Sequence, residues 1–316
     1  MTITPTPTPT LGAVRQRGAL RAVVSRGIRG LSLCGDDGRW RGLDTDVARA
    51  VAAAALGDGE AVEWVPADPA DRLTRLVGGD AELTVANVSW TLGREASLPV
   101  LFTGVTCYDG EGFLVPADSG VTRPEQLAGR RVAVQAGTTS AANLAAWYGG
   151  RGLAVEPVAH ATPAETLAAY ASGECAAYVL DRVALAGERA ALDDPAAHRI
   201  LDEAISREPM AAAVRDGDPA WFRLCRWVQQ LLVSAEQHVV EVGERDKALA
   251  QAAEAAGAHG PAVGLDHDWA ARVLAAVGTY AEVYDRNLGP ATGLDVPRGL
   301  NELFTRGGLQ YAVPLH

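Results

Sequence analysis

The stretch VEWVPADPADRLTRLVGGDAELTVANVSWTLGRE, residues 62–95, decides the fold. VEWVPA (62–67) is a short run of β-branched and aromatic residues, DRLTRLVGGD supplies a helix that stops at Gly78-Gly79, and ELTVANVSW (82–90) returns as a strand. Strand, helix and strand at this spacing predict a parallel unit of an α/β sheet. Directly after the second strand come Ser89, Thr91 and Arg94. Ligands of open parallel sheets collect at the carboxyl ends of strands, so these polar groups stand where chemistry is expected.

The same pattern extends in both directions. Upstream, ALRAVVSRG (19–27) reads as a buried strand, followed by a turn at Asp37-Gly38 and a helix entered near Asp44 and stopped at Gly57. Val47, Val51, Ala54 and Ala55 fall on one face of that helix, which therefore packs on a sheet. Downstream the pattern restarts with GFLVPAD (112–118), RRVAVQAG (130–137), a helix beginning at Thr138-Thr139-Ser140, a helix over PAETLAAYASGE, and the strand CAAYVLD (175–181), which ends on Asp181. Beyond about residue 208 the reading is helical: Trp221, Leu224, Cys225, Val228, Leu231 and Leu232 repeat at helical spacing, and 266–289 forms another long amphipathic segment. The expected organisation is a disordered Thr-Pro tail (1–11), a first lobe (12–113), a second lobe (114–208), and a return to the first lobe with C-terminal helices (209–316). The chain then crosses between lobes twice, at hinges near 113 and 208.

Composition narrows the function. A net charge of −11 over 316 residues disfavours nucleic acid and anionic membrane surfaces as partners, and no stretch is long and apolar enough for membrane insertion. The only lysine is Lys247, so any lysine Schiff base would have to form there. Cys34, Cys107, Cys175 and Cys225 make no CxxC, and the six histidines make no HExxH, so neither a metal site nor a cofactor is expected. The N-terminus lacks a basic segment followed by an apolar one, which by itself predicts a cytoplasmic protein.

Three strand ends carry complementary groups: Ser89, Thr91 and Arg94 after one, Thr138 and Thr139 at a helix start after the next, and Asp181 after the third. A guanidinium fork fits a carboxylate in bidentate fashion, free helix N–H groups and hydroxyls take its remaining lone pairs, and a carboxylate meets an ammonium. Each group alone has an ordinary structural explanation, as a surface arginine or a helix cap. Together they describe a receptor for a zwitterion.

The segments NVSWTLGRE, TCYDGEGFLV, VAVQAGTTSAANLA, GECAAYVLDR and RGLNELFTRGGLQYAVP resemble the general polar amino-acid-binding proteins of bacterial ABC importers, solute-binding protein family 3. The resemblance runs from about residue 12 to the C-terminus. It implies the two-lobed type II periplasmic-binding-protein fold, each lobe a mixed, mainly parallel sheet flanked by helices, with a helical C-terminal extension. It also implies that Arg94 holds an α-carboxylate with help from Ser89 and Thr139, and that Asp181 takes the α-amino group. An L-amino acid, ABC permease subunits, a monomeric state and an extracytoplasmic location follow as expectations. The chain departs from the family where an aromatic-proline segment usually packs the ligand side chain: here GIRGLSLCGDD offers Arg29 and Leu31, with Trp90 a further candidate for the side-chain pocket. Ala86 stands where relatives carry arginine, so no side-chain specificity is carried over. Ala133 replaces a cysteine that would match Cys175, and the lost disulfide points toward a reducing compartment.

Two other functions share this fold. A cytoplasmic dehydratase- or lyase-like enzyme could hold an amino-acid-like substrate in the same clamp, with Asp109, Glu111, Cys34 and Cys107 as the only candidates for proton transfer or nucleophilic attack. An intracellular amino-acid sensor is the third.

Overall fold

The computed structural model describes residues 9–136 and 138–316. In chain order its elements are α1 (Pro9–Arg17), β1 (Leu20–Ser25), the two-residue strands β2 (Leu33–Cys34) and β3 (Trp40–Arg41), α2 (Leu43–Leu56), β4 (Val62–Ala67), α3 (Arg72–Gly78), β5 (Leu83–Thr84), α4 (Leu92–Ser97) and β6 (Val100–Asp109). The second lobe contributes β7 (Glu111–Pro116), β8 (Arg131–Gln135), α5 (Ser140–Gly149), β9 (Glu156–His160), α6 (Pro163–Ala171), β10 (Ala177–Asp181), α7 (Arg182–Ala190) and β11 (His198–Ile200). The chain returns through β12 (Glu208–Arg215) and continues as α8 (Pro219–Val242), α9 (Arg245–Gly257), α10 (Trp269–Val277) and α11 (Tyr280–Leu288).

Two five-stranded mixed sheets, ordered β4-β1-β5-β12-β6 and β11-β7-β10-β8-β9, form the two lobes. Each has two parallel and two antiparallel pairings: β1 runs parallel to β4 and β5, and β8 parallel to β9 and β10. The antiparallel pairings belong to the strands that carry the chain between lobes. β6 pairs with β12 along its length in the first sheet, and β7 pairs with β10 and β11 in the second.

Several elements differ from the sequence reading. Residues 208–215 form β12 rather than helix, because this strand completes the first sheet against β6, and α8 begins only at Pro219 with Asp218 capping the Trp221 N–H at 2.9 Å. The 82–90 strand keeps only Leu83–Thr84 in regular pairing; Asn87 has φ 38°, which breaks the ladder, and the chain stays tied to β12 by Ala211 N–H to Val88 O and Trp90 N–H to Pro209 O, both 2.9 Å. The segment 266–289 divides into α10 and α11 at Gly278, and Thr279 and Glu282 form a reciprocal cap that starts the second helix. Pro9, Thr10 and Leu11, assigned to the tail, belong to α1, where Leu11 and Val14 are buried; residues 1–8 of that tail lie outside the described residues.

The large core lies in the first lobe. Trp221, Leu224, Val228, Leu231 and Leu232 of α8 pack in one cluster with Val47, Val51 and Ala54 of α2 and Val273 of α10. Each fully buried Leu or Val contributes roughly 1.5–3 kcal/mol, so the C-terminal helices hold the first lobe together. Phe113, Val132, Val134, Leu144 and Tyr148 form the core of the second lobe.

Between β6 and β7 the crossing is a single residue, Gly110, so β7 already belongs to the second sheet from Glu111 onward. The second crossing passes close beside it. A Cβ at Gly110 would lie 2.6 Å from Ser206 O, which leaves room only for glycine. The C-terminal segment grips β6 next to this point: Asn301 Oδ1 accepts the Tyr108 N–H at 2.7 Å and its Nδ2 donates to Tyr108 O at 2.9 Å.

Candidate ligand-binding site

A cavity of ≈ 220 Å³ lies between the lobes. The first lobe lines it with Arg72, Asn87, Ser89 and Arg94, and the second with Glu111, Thr138, Thr139, Ser140, Asp181 and Glu188. Ser89, Arg94, Thr138, Thr139 and Asp181, singled out from three separate strand ends, thus face one space. Thr91 does not line it; its hydroxyl accepts the Arg94 N–H at 3.3 Å and starts α4.

Arg94 is fixed by a 2.6 Å hydrogen bond from Nη1 to Ser89 O, and Ser89 Oγ donates to Glu208. Burial lowers the pKa of Arg94, opposed by the nearby charges of Glu208 and Asp181. Across the cleft, Thr138 Oγ1 donates to Gln135 O at 2.7 Å and accepts from Ser140 N–H at 3.4 Å, whereas the Thr139 side chain makes no capping bond. The start of α5 therefore presents N–H groups and a hydroxyl toward the cavity. Asp181 closes β10 and stands at the N-cap of α7 without bonding its amides, and it accepts a 3.4 Å hydrogen bond from Asn87 Nδ2. Burial pushes its pKa well up; Asp109, Glu111 and Glu208 add to the rise, and Arg72 opposes it.

Several residues of this site escaped the sequence reading. Arg72 is only 8% exposed and its Nε finds no partner among the described residues; burial lowers its pKa to about 10 against the pull of Asp44 and Asp181. Asp44, 1% exposed, accepts the Asn87 N–H at 3.0 Å, and burial raises its pKa to about 7. Glu208, also buried, accepts from Ser89, from Asn143 Nδ2 at 3.1 Å and from Ser206 Oγ at 2.8 Å. In sequence Arg72 is indistinguishable from Arg75 three residues on, and Asp44 reads as a helix cap. Burial of a charged group was the missing signal, and it comes only from tertiary structure.

The candidates for a side-chain pocket lie elsewhere. Leu31 is in the first-lobe core. Arg29 donates to Thr292 O at 3.0 Å, and Trp90 stacks on Phe102 with ring centroids 5.8 Å apart and donates to Glu95 at 2.8 Å. Among the reactive candidates only Glu111 lines the cavity. Asp109 accepts the Val183 N–H at 2.9 Å, Cys34 sits on the exposed β2, and burial raises the thiol pKa of Cys107 well above its ordinary value. A larger cavity of ≈ 560 Å³ lies behind the crossings, bordered by Tyr108, Asp109, Arg182, Glu208 and Tyr284. Size alone would have pointed away from the strand-end groups.

Two lobes joined by paired crossings, with a cavity lined by charged and polar groups between them, define the class of two-lobed proteins that hold a small solute in an interlobe cleft. The chain belongs to the bacterial extracellular solute-binding proteins, family 3, whose sequence profile matches residues 20–289. It is 36% identical over 315 residues to the general L-amino acid-binding periplasmic protein AapJ of Rhizobium johnstonii, covering 97% of this chain and 92% of that one. It is 37% identical over 313 residues to the glutamate/glutamine/aspartate/asparagine-binding protein BztA of Rhodobacter capsulatus, covering 96% and 93%. The solved structure of an ABC transporter periplasmic binding protein from Brucella ovis with glutathione bound superimposes with a TM-score of 0.90 at 36% identity, covering 97% of this chain and 99% of that one.

Proposed function

We propose that this protein binds an L-α-amino acid in the interlobe cleft and serves as the solute-binding component of an amino-acid ABC transport system. Arg94 receives the α-carboxylate together with Ser89, Thr139 and the first N–H groups of α5. Asp181 receives the α-ammonium. The observation that carries this reading is that Arg94 from the first lobe and Asp181 from the second line the same cavity. A ligand touching both favours the arrangement in which the lobes meet, so binding and closure are linked through differential affinity. Gly110 and the 206–208 stretch are the hinge in this reading, and both walls of the cleft come from one chain, so a monomer suffices.

The names of the relatives support an amino-acid ligand and an extracytoplasmic location; the Brucella ovis protein is named as part of an ABC transporter, and ABC permease subunits are the partners in this reading. The enzymatic alternative is not favoured: the relatives are described as binding proteins, Asp109 is engaged in capping α7, and the Cys107 thiol is held protonated by burial.

The test is a thermal-shift and calorimetric screen of the proteinogenic L-amino acids with their D-isomers and des-amino analogues. A true ligand at about 100 times its Kd adds about 2.7 kcal/mol of stability. The reading requires stabilisation by at least one L-amino acid and none by its des-amino analogue. A panel without any response contradicts it.

A further inference from the structure

Glu111 and Asp181 are partners in the antiparallel ladder of β7 and β10. The Arg182 N–H donates to Gly110 O at 3.1 Å, one residue outside this pair. That pattern makes Glu111 and Asp181 a non-hydrogen-bonded pair, the kind in which facing side chains stand closest. Two acidic residues directly opposite each other destabilise a sheet unless a proton or cation comes between them.

Both residues line the interlobe cavity. Glu111 is 2% exposed; its Oε1 accepts from Ser140 Oγ at 2.6 Å, and its Oε2 has no hydrogen-bond partner among the described residues. A buried carboxylate oxygen left unmatched beside a like charge calls for a donor from outside the chain.

Resting on the amino-acid reading above, we infer that Glu111 and Asp181 together form the receptor for the ligand's ammonium, and that this pair holds a proton in the empty cleft and gives it up when the ammonium binds. Glu111 is then a specificity-determining residue, because it demands a cationic nitrogen where Asp181 alone would also accept a neutral donor. The surroundings favour a protonated empty pair. Asp109 and Glu208 add negative charge from the two crossings, and Glu188 of α7 lines the same cavity. Arg72 and Arg94 of the first lobe oppose them, while the Ser140 hydroxyl of α5 stabilises the charged form of Glu111 by hydrogen bonding. Burial is the largest cause of the upward shift in both carboxyls. The proton balance is simple: the ligand arrives as a zwitterion, its ammonium replaces the proton between the carboxylates, and that proton leaves to buffer.

The experiment is isothermal titration calorimetry of the full chain with the tightest-binding L-amino acid, in phosphate and in Tris at the same pH, repeated across about pH 5.5–8. Wild type is expected to release up to about one proton, with affinity rising by up to about tenfold per pH unit where the free pair is protonated and the bound pair is not. Glu111→Gln is expected to bind about 10- to 100-fold more weakly, the loss of one charge-assisted hydrogen bond, and to release fewer protons. The wild-type proton count needs no variant, so misfolding of Glu111→Gln leaves the inference testable. Wild-type binding without proton release, or Glu111→Gln with unchanged affinity and release, overturns the paired receptor and leaves the amino-acid reading standing. Absence of binding by any L-amino acid overturns both.

Discussion

Asn87 Nδ2 donates to Asp181 Oδ2 across the interlobe cleft at 3.4 Å, and the Asn87 N–H donates to the buried Asp44 at 3.0 Å. One residue with a left-handed backbone, φ 38°, thereby connects the second-lobe carboxylate to a buried acid of the first lobe. Asn is among the few non-glycine residues that adopt this conformation readily. Asp44 therefore supports the cleft from outside its lining, and its chemistry can be tested apart from binding.

The pH dependence of folding should report on Asp44. Its pKa is raised to about 7 by burial, so the folded chain holds this proton more tightly than the unfolded chain does. Between the ordinary carboxyl value of 3.8 and about 7, raising the pH costs stability; below that window the contribution is fully present, and above it the loss is complete. Asp44→Asn removes this slope while leaving an oxygen to accept from Asn87. Urea unfolding at about pH 5 and pH 8 should show the variant gaining on wild type by up to about 2–3 kcal/mol as the pH rises, whatever constant offset arises from the lost attraction to Arg72. Parallel stability curves would remove Asp44 from this account.

Backbone geometry at the start of α2 gives a second prediction. Gly42 has φ 138°, and a Cβ there would lie 2.0 Å from Leu31 O, the same carbonyl that accepts the Asp44 N–H at 3.0 Å. Gly42→Ala should destabilise the fold by about 2–4 kcal/mol, a value that combines backbone strain with a displaced turn. Gly12→Ala, where no atom lies within 4 Å of the added methyl group, should change stability little. Equal unfolding midpoints for the two variants would contradict this.

Thiol reactivity provides a third. Cys34 is exposed, while Cys107, Cys175 and Cys225 are buried and burial raises the pKa of all three. Thiolate is the reactive form, so an aromatic disulfide reagent should label one thiol quickly and the other three only on unfolding. Rapid labelling of two or more in the native protein would refute the assigned burial.

The repeating strand–helix units and the glycine stops at Gly57 and Gly79 were legible in the sequence, because hydrophobic periodicity and left-handed caps are local signals. β12 was not. Its alanine-rich run Met210-Ala211-Ala212-Ala213 has no period, and only pairing with β6 defines it as a strand. That Arg94 and Asp181 line one cavity was legible because strand-end position marks polar groups directly. Arg72, Asp44 and Glu208 were hidden because their role depends on burial by distant segments. Leu31 and Arg29 were misplaced as pocket residues: the glycine-rich turn after β1 packs Leu31 into the core, and the chain near Thr292 takes up the Arg29 guanidinium.

The central claim is that Arg94 and Asp181 close together on the two ends of an α-amino acid. Calorimetric titration of wild type, Arg94→Ala and Asp181→Asn with the best-binding L-amino acid tests it most directly, with thermal unfolding of each ligand-free protein as a control for folding. Removing one partner of an enclosed charge contact typically costs roughly 2–5 kcal/mol, so each variant should lose about 30-fold or more in affinity while staying folded. Wild-type affinity in both folded variants would contradict the claim.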